Sequence, residues 1–553
     1  MTASFDIFDT CLTRLCGTPA QLFDVLSYRA FSEAVPESLR QRFVAERLEA
    51  EYNATVQLGA ATTLSDIYDA ISFTHPKLLS KERLMENEMA CERAMLRPVL
   101  SVREQIEKFR NKGALIIFIS DMYLPGAFLE EVLTSYGFMK SGDSLYVSCE
   151  AQKFKYGGKL FSYVKEKENL KTRHWTHYGD NQRSDIKGAG CAGIKARQIR
   201  HSYSPVQQLW LDDNNVRGFK YPGILAGISR GLRYSNEDNS HKDIVLDLIS
   251  PLLCSYVYMV MKDAAEKGFK RLYFCSRDTC SMFSIAQKMQ HLYSDLEVRY
   301  LYVSRDALYL GDDEPKIAYF SQEGLATKAD KVAIVDLITG GKTMEVLNAL
   351  LERNDYRKVY GFFLCKWEHF DIPVDYEYSQ FELSEAYLKA VPGYGPLRLL
   401  IRTQFFENFF GLNNQCRTIG YKNEHGQYSP VFSKETTAQD GVIPDREKWF
   451  EIHQSLIDQF TDAYLETECY RYSDEIFNLS INALLSFADK PCREYLEPLL
   501  DYRIACDARP FIKRESLPEI LVSRGHDTEW RWGTYYYNLP QWMISIIRRI
   551  RKK

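Results

Sequence analysis

The stretch Ala114-Leu115-Ile116-Ile117-Phe118-Ile119 constrains the fold more than any other. An unbroken apolar run of strand length describes a strand buried on both faces, and such strands belong to parallel sheets covered by helices on each side. A parallel neighbour requires a crossover helix. Ser101 to Lys112 has helical spacing, and Gly113 ends it. The apolar run stops at Ser120-Asp121-Met122-Tyr123-Leu124-Pro125. In open α/β sheets, ligands bind beyond the carboxyl ends of strands, so these end residues are the first to consider for chemistry.

A second strand opens the chain. Ser4-Phe5-Asp6-Ile7-Phe8-Asp9-Thr10 carries a carboxylate at the end of a short apolar run, then a second carboxylate and a hydroxyl. Two further stretches complete the set. One is the Lys/Gly-rich loop Lys153-Phe154-Lys155-Tyr156-Gly157-Gly158-Lys159, which follows the short strand Ser144-Leu145-Tyr146-Val147. The other is His177-Tyr178-Gly179-Asp180-Asn181-Gln182-Arg183-Ser184-Asp185. Gathered at one sheet edge, they supply what phosphoryl transfer needs: an in-line nucleophile and fixed positive charge. Asp6 would attack phosphorus, giving an aspartyl-phosphate that water later releases. Thr10 and Ser120 would hold phosphoryl oxygens, and Lys155 would neutralise developing charge. Asp6 and Asp180 would hold Mg²⁺, supported by Asp185 and Asn181, because hard oxygen donors suit that ion.

These motifs, in this order, resemble those of the haloacid-dehalogenase (HAD) superfamily. The resemblance implies an α/β, Rossmann-like core with a helical cap over the active site, and Mg²⁺-dependent phosphatase chemistry. One position departs from the pattern. The residue two after the nucleophile, an Asp acting as general acid/base in the superfamily's phosphatases, is Phe8 here. Its backbone carbonyl could still ligate Mg²⁺, but its ring moves no proton; Asp9, one position on, is the candidate substitute. General acid/base help is typically worth about 10²–10⁴-fold.

The rest of the chain extends this picture. Its 553 residues suggest three or four domains, and 45% hydrophobic with 26% charged residues is ordinary globular composition. Residues from about 14 to 100 have helical spacing and form the expected cap; the first domain is expected to close near residue 200. Residues 201–240, polar and Gly/Asn-rich, read as a linker. A second Rossmann-like α/β domain is expected over 241–440, with strands at Arg271–Cys275, Val298–Val303, Val332–Val335 and Val359–Leu364. A helical region follows over 441–529. The 13 cysteines lack metal-ligand spacing and no signal peptide precedes them, so they read as reduced structural thiols of a cytoplasmic protein. No apolar run is read as long enough to span a bilayer. A net charge of -4 gives no pull toward nucleic acid.

Two turns in the second domain carry phosphate-site candidates: Ser276-Arg277-Asp278-Thr279, and Asp336-Leu337-Ile338-Thr339-Gly340-Gly341-Lys342-Thr343, read as a strand-to-helix turn. Backbone N–H groups of such a turn can bind phosphate. Gly341-Lys342-Thr343 looks like the end of a P-loop without its earlier glycine, and the turn is similar to a phosphoribosyltransferase loop with Leu337 in place of the second acid. It reads equally as a tight turn packing helix on sheet. From Asp6 to about residue 510, the chain resembles large bacterial HAD-like proteins that accompany glycosyltransferases in surface-polysaccharide pathways. That resemblance rests on Phe274-Cys275-Ser276-Arg277-Asp278, Val303-Ser304-Arg305, the Asp336 turn, and Phe405 to Phe410 ahead of Ser429-Pro430-Val431-Phe432. It implies a phosphorylated sugar or polyol substrate, nucleotide- or lipid-linked in one variant, and a glycosyltransferase partner. The alternatives are a transferase using the second domain's phosphate site and an inert HAD scaffold that binds glycosyltransferases. The tail, residues 530–553, ends in a short amphipathic basic helix candidate from Pro540. It suits either an anionic inner-membrane surface or a docked terminal helix.

Overall fold

A computed structural model describes the chain except residues 72–78, 213–217, 340, 367–376, 383–393, 403–404, 434–444, 501, 504–508, 524–526 and 552–553. It divides into two compact units: Met1–Asp238 with Ala463–Cys469, and Asn239–Asp462 with Tyr470–Lys553. Both are α/β.

The first unit begins with β1 (Thr2–Phe5), β2 (Leu12–Arg14) and β3 (Leu96–Pro98), followed by β4 (Leu115–Ser120), β5 (Ser144–Val147), β6 (Trp175–Gly179) and β7 (Lys195–Gln198). Five of these form one sheet in the order β5-β4-β1-β6-β7, every pair parallel. The apolar run forms β4, with Ile116 to Ile119 fully buried beside β1. One sheet face packs Ile117, Ile119 and Trp175 on Leu160, Phe161 and Val164 of the helix Lys159–Lys167. The other stacks Phe5 on Tyr178, ring centroids 5.0 Å apart, beside Phe109.

Between β2 and β3 the chain makes the helices Gln21–Ala30, Glu37–Leu58, Leu64–Asp69 and Lys81–Met95. β2 and β3 pair antiparallel, Leu12 opposite Pro98 and Arg14 opposite Leu96, so this helical insertion leaves and re-enters the core side by side. Within it Arg47, wholly buried, donates to both oxygens of Glu88, and the Tyr68 hydroxyl donates to the same carboxylate.

Residues 201–240 correct the linker expectation: they contain the helices Pro205–Leu211 and Tyr221–Ser235, the second buried along most of its length. Its glycines, which gave the segment a linker's composition, are a contact surface. A Cβ on Gly227 would lie 2.2 Å from the Cys16 backbone. Close approach of backbones, rather than flexibility, explains the glycine there.

The second unit contains β8 (Arg271–Cys275), β9 (Glu297–Leu301), β10 (Val332–Thr339), β11 (Tyr360–Lys366) and β12 (Glu377–Glu382), in the order β12-β11-β10-β8-β9, all parallel. A hairpin of β13 (Thr418–Glu424) and β14 (Gln427–Phe432) follows. β10 runs further than expected. Asp336 lies inside it, paired with Phe363, and the turn begins only after Thr339. The reading that no stretch is long enough to span a bilayer is also corrected. The helical stretch Lys242–Glu266 has the length and apolarity to do so. Yet 89% of its most apolar window is buried inside the protein, where it packs against the helix Ser473–Asp489. Every described cysteine is a free thiol.

Candidate active site

Register places the site. Phe5 pairs with Phe118 on one side and Tyr178 on the other, so Asp6 leaves β1 between the ends of β4 and β6. The Asp6 N–H still donates to the Tyr178 carbonyl, which fixes its backbone as the strand ends. Ser120 closes β4, and Gly179 closes β6 with Asp180 immediately after it.

Lys155 joins these pieces. Its ammonium donates to Asp6 Oδ1 and to Asp185 Oδ1, each at 2.5 Å, and all three side chains are nearly inaccessible. The Lys155 backbone N–H donates to Asp121 Oδ1 at 2.9 Å, so the residue after Ser120 anchors the lysine's loop. Asp185 Oδ2 accepts the Asn181 N–H, and Asn181 Oδ1 caps the N–H groups of Arg183 and Ser184. This tight turn needs Gly179, where a Cβ would lie 2.4 Å from Asp185 Cγ. Thr10, fully buried, directs its hydroxyl at Asp6 Oδ2 from 3.4 Å.

Behind Asp185 runs a buried polar chain that the sequence did not reveal. Trp175 Nε1 donates to Ser4 Oγ at 2.7 Å. Ser4 Oγ lies 2.8 Å from His177 Nδ1, and His177 Nε2 lies 3.4 Å from Asp185 Oδ1. With the indole donating to Ser4, the hydroxyl proton is free for Nδ1, which leaves Nε2–H facing the carboxylate. Burial holds His177 below the usual imidazole range, in keeping with a neutral ring.

One ammonium thus serves two buried carboxylates. Burial raises Asp6 well above the ordinary carboxylate range, and Lys155 only partly offsets this. Burial acts on Asp185 too, but Lys155 and His177 hold it below that range. Lys155 stays charged because the two acids outweigh its desolvation. Asp180 is pushed up to about 6 by burial and by the charges of Asp185 and Asp9. The pocket therefore carries more negative than positive charge.

The acids fit a hard divalent cation. Among the described residues Asp6, Asp180 and Asp185 form a group whose ligand atoms all lie within 4.8 Å of one another. Asp185 accepts protein donors on both oxygens, from Lys155 and from the Asn181 N–H, and so braces Lys155 beside the other two acids. A proton on Asp180 competes with such an ion. Lowering the pH from about 7 to about 5 should raise the half-saturating Mg²⁺ concentration at least about ten-fold, because the raised carboxyls of Asp180 and Asp6 both take up protons in competition with the ion. Titration calorimetry at the two pH values measures it; a pH-independent affinity would remove Asp180 from the ligand set.

Position 8, two residues after Asp6, is held away from proton chemistry by its type and its packing. The Phe8 ring lies under the Arg14 guanidinium, 4.2 Å from ring centroid to Cζ, and Arg14 is bound to buried Glu92 of the insertion. Asp9 has φ +52°. Its Oδ1 accepts from Arg230 Nη2 at 3.2 Å, so the carboxylate is held toward the helix Tyr221–Ser235. It still lies close enough to Asp180 to raise it.

In the second unit Arg277, Asp278, Asp336, Lys342 and Thr343 line one cavity. Thr339 ends β10, Gly341 starts the following helix, and Gly340 lies outside the described residues.

No protein-family model matches the chain, and a search of curated proteins returns no match. Solved structures do show likeness. A HAD phosphatase from Thermococcus onnurineus is 19% identical over 39% of this chain and 89% of its own, with a TM-score of 0.27. An L-2-haloacid dehalogenase from Xanthobacter autotrophicus is 14% identical over 40% and 87%, TM-score 0.30. A HAD family enzyme from Bacteroides thetaiotaomicron, in complex with magnesium and inorganic phosphate, is 14% identical over 37% and 96%, TM-score 0.28. Strand order and side-chain convergence set the class: an α/β protein whose first unit carries a five-stranded parallel sheet, a helical insertion and a carboxylate–lysine cluster at the sheet's carboxyl edge.

Proposed function

We propose that the first unit is a Mg²⁺-dependent phosphohydrolase working through Asp6. The observation that carries this reading is the meeting of Asp6, Lys155, Asp180 and Asp185 at the carboxyl edge of one parallel sheet. A carboxylate oxygen of Asp6 attacks phosphorus; the ester P–O bond breaks and its electron pair leaves on the alcohol oxygen. Thr10 and Ser120 direct hydroxyls at the phosphoryl oxygens, and Lys155 meets the charge gathering on them. Water then attacks phosphorus, the Asp6–phosphorus bond breaks, and phosphate leaves with the carboxylate restored. Asp6 and Asp180 would hold a divalent ion, which would supply positive charge favouring the ionised form of Asp6. The chain of Trp175, Ser4 and His177 keeps Asp185, and through it Lys155, in place.

The test is phosphate release from p-nitrophenyl phosphate and from acetyl phosphate by the full chain, with Mg²⁺ and with EDTA. Absence of Mg²⁺-dependent turnover of either would overturn the reading. Phe8 adds a second expectation. Without a proton donor at that position, alkyl phosphates such as glycerol phosphate should turn over far more slowly than the aryl ester. Phe8→Asp should accelerate the alkyl ester about 10²-fold and the aryl ester only a few-fold. Equal acceleration of both would mean that position 8 does not protonate the leaving group.

For substrate we propose a phosphorylated sugar or polyol of surface-polysaccharide synthesis, with a glycosyltransferase as partner; the motif resemblance alone supports this. For the tail we propose contact with an anionic membrane surface. The helix Gln541–Arg551 is anchored by buried Ile544 and by Arg548 on Asp489, while Trp542, Ile546 and Ile550 are exposed. An exposed apolar row with a basic end suits a lipid interface.

A further inference from the structure

The sheet of the second unit contains a topological reversal. From β8 the chain goes outward to β9 on one side, then returns to β10 on the other side of β8, and continues outward through β11 and β12. All pairs are parallel, so the carboxyl ends of β8 and β10 diverge around a crevice, the place where open α/β sheets bind ligands. A cavity of about 570 Å³ lies there, large enough for a small metabolite. The first unit's chemistry does not account for it.

Its walls carry two kinds of charge. Arg305, after β9, is exposed at the cavity and has no ion-pair partner among the described residues. Lys342 and Thr343, which begin the helix Lys342–Arg353, line the cavity as well. Amides at a helix start and a guanidinium lining one cavity suit a phosphate group. Asp278, Asp336 and Glu407 line the same cavity. Burial raises the Asp336 carboxyl well above the ordinary range, and the charges of Asp278 and Glu407 add to the shift. One Asp336 oxygen accepts the Leu337 N–H at 2.8 Å. Thr418, 1% exposed, lines the same cavity, and its hydroxyl has no hydrogen-bond partner among the described residues. A buried polar group without a partner is costly, and a polar ligand would satisfy it.

We propose that this cavity is a second ligand site, independent of Asp6, for a phosphate monoester of a polyhydroxylated molecule such as a pentose phosphate. The phosphate sits at the helix start against Arg305. Sugar hydroxyls donate to the carboxylates of Asp336 and Asp278, and one pairs with Thr418. Phosphate alone would leave the acids facing an anion, so the polyol is required for net attraction.

The experiment is titration calorimetry with ribose 5-phosphate and with inorganic phosphate, on the full chain carrying Asp6→Asn so that hydrolysis cannot contribute heat. Saturable binding of ribose 5-phosphate is expected, at least ten-fold tighter than that of inorganic phosphate. Arg305→Ala should weaken it at least ten-fold. Asp336→Asn, or Thr418→Val should that variant fold poorly, should reduce the preference for the sugar ester. Binding unchanged by Arg305→Ala and Thr418→Val would place the ligand elsewhere and overturn the proposal. So would no saturable heat, or equal affinity for the two ligands. Because the readout is binding in an Asp6 variant, these outcomes are separate from failure of the phosphohydrolase reading, which is judged by turnover of the native chain.

Discussion

Asp6→Asn should reduce Mg²⁺-dependent phosphate release from an aryl ester by at least about 10³-fold, while the chain stays folded. The loss follows from the nucleophile's role: an amide oxygen forms no stable bond to phosphorus, so covalent catalysis ends. Folding survives because a neutral amide at position 6 relieves the carboxylate excess. Asp6 is the acid that burial penalises most clearly, and Lys155 keeps its contact with Asp185. Phosphate release by stopped assay, alongside a thermal melt, separates the two effects. A variant retaining more than a tenth of native turnover would show that another group attacks.

Lys155→Met should have the opposite character, with a loss of stability of about 3–5 kcal/mol as well as activity. Removing one partner of a buried charge cluster leaves the others uncompensated. Here two nearly inaccessible carboxylates would face each other without the ammonium. The sign with pH is fixed. Two unshielded buried acids bind protons more tightly folded than unfolded, so the penalty is full at high pH and shrinks as pH falls toward the unfolded carboxylate range. The gap between variant and native urea midpoints for the first unit should therefore narrow between about pH 8 and about pH 5. Mg²⁺ should narrow it as well. A gap that does not change with pH would mean the ammonium is not balancing Asp6 and Asp185.

The sequence showed the interior strands and the edge strands β5 and β9, but hid the edge strands β7 and β12. β4 was visible because both faces are buried, so no polar alternation interrupts it. The edge strand β7, Lys-Ala-Arg-Gln and largely exposed, carries no apolar signal at all. β12, Glu-Tyr-Ser-Gln-Phe-Glu, is equally polar and was missed. β2 and β3, three residues each, are too short for periodicity to register. The helix Tyr221–Ser235 was hidden by its glycines, which lower helix propensity but allow backbones to touch.

At the site, motif spacing in the sequence singled out Asp6, Thr10, Lys155, Asp180 and Asp185, which the structure brings together. Those acting through other residues were not. His177 and Ser4 lie within strands and reach the site only through Asp185. The usable signal was two polar residues in strands otherwise buried in apolar surroundings. Asp121 stood beside Ser120 in the same motif, but its partner is a backbone N–H distant in sequence, and no pattern of side chains announces that. The orientation of Asp9 depended on Arg230, which arrives from a segment read as a linker.

The short ladder of β2 and β3 has a consequence for how such proteins diversify. Leu12 stands opposite Pro98 and Arg14 opposite Leu96, so everything between is a detour whose two feet share one rung spacing. A detour of any length or shape could replace it without altering the distance the core must bridge. Evolution, or an engineer, can exchange the insertion while Asp6, Lys155 and Asp180 keep their places.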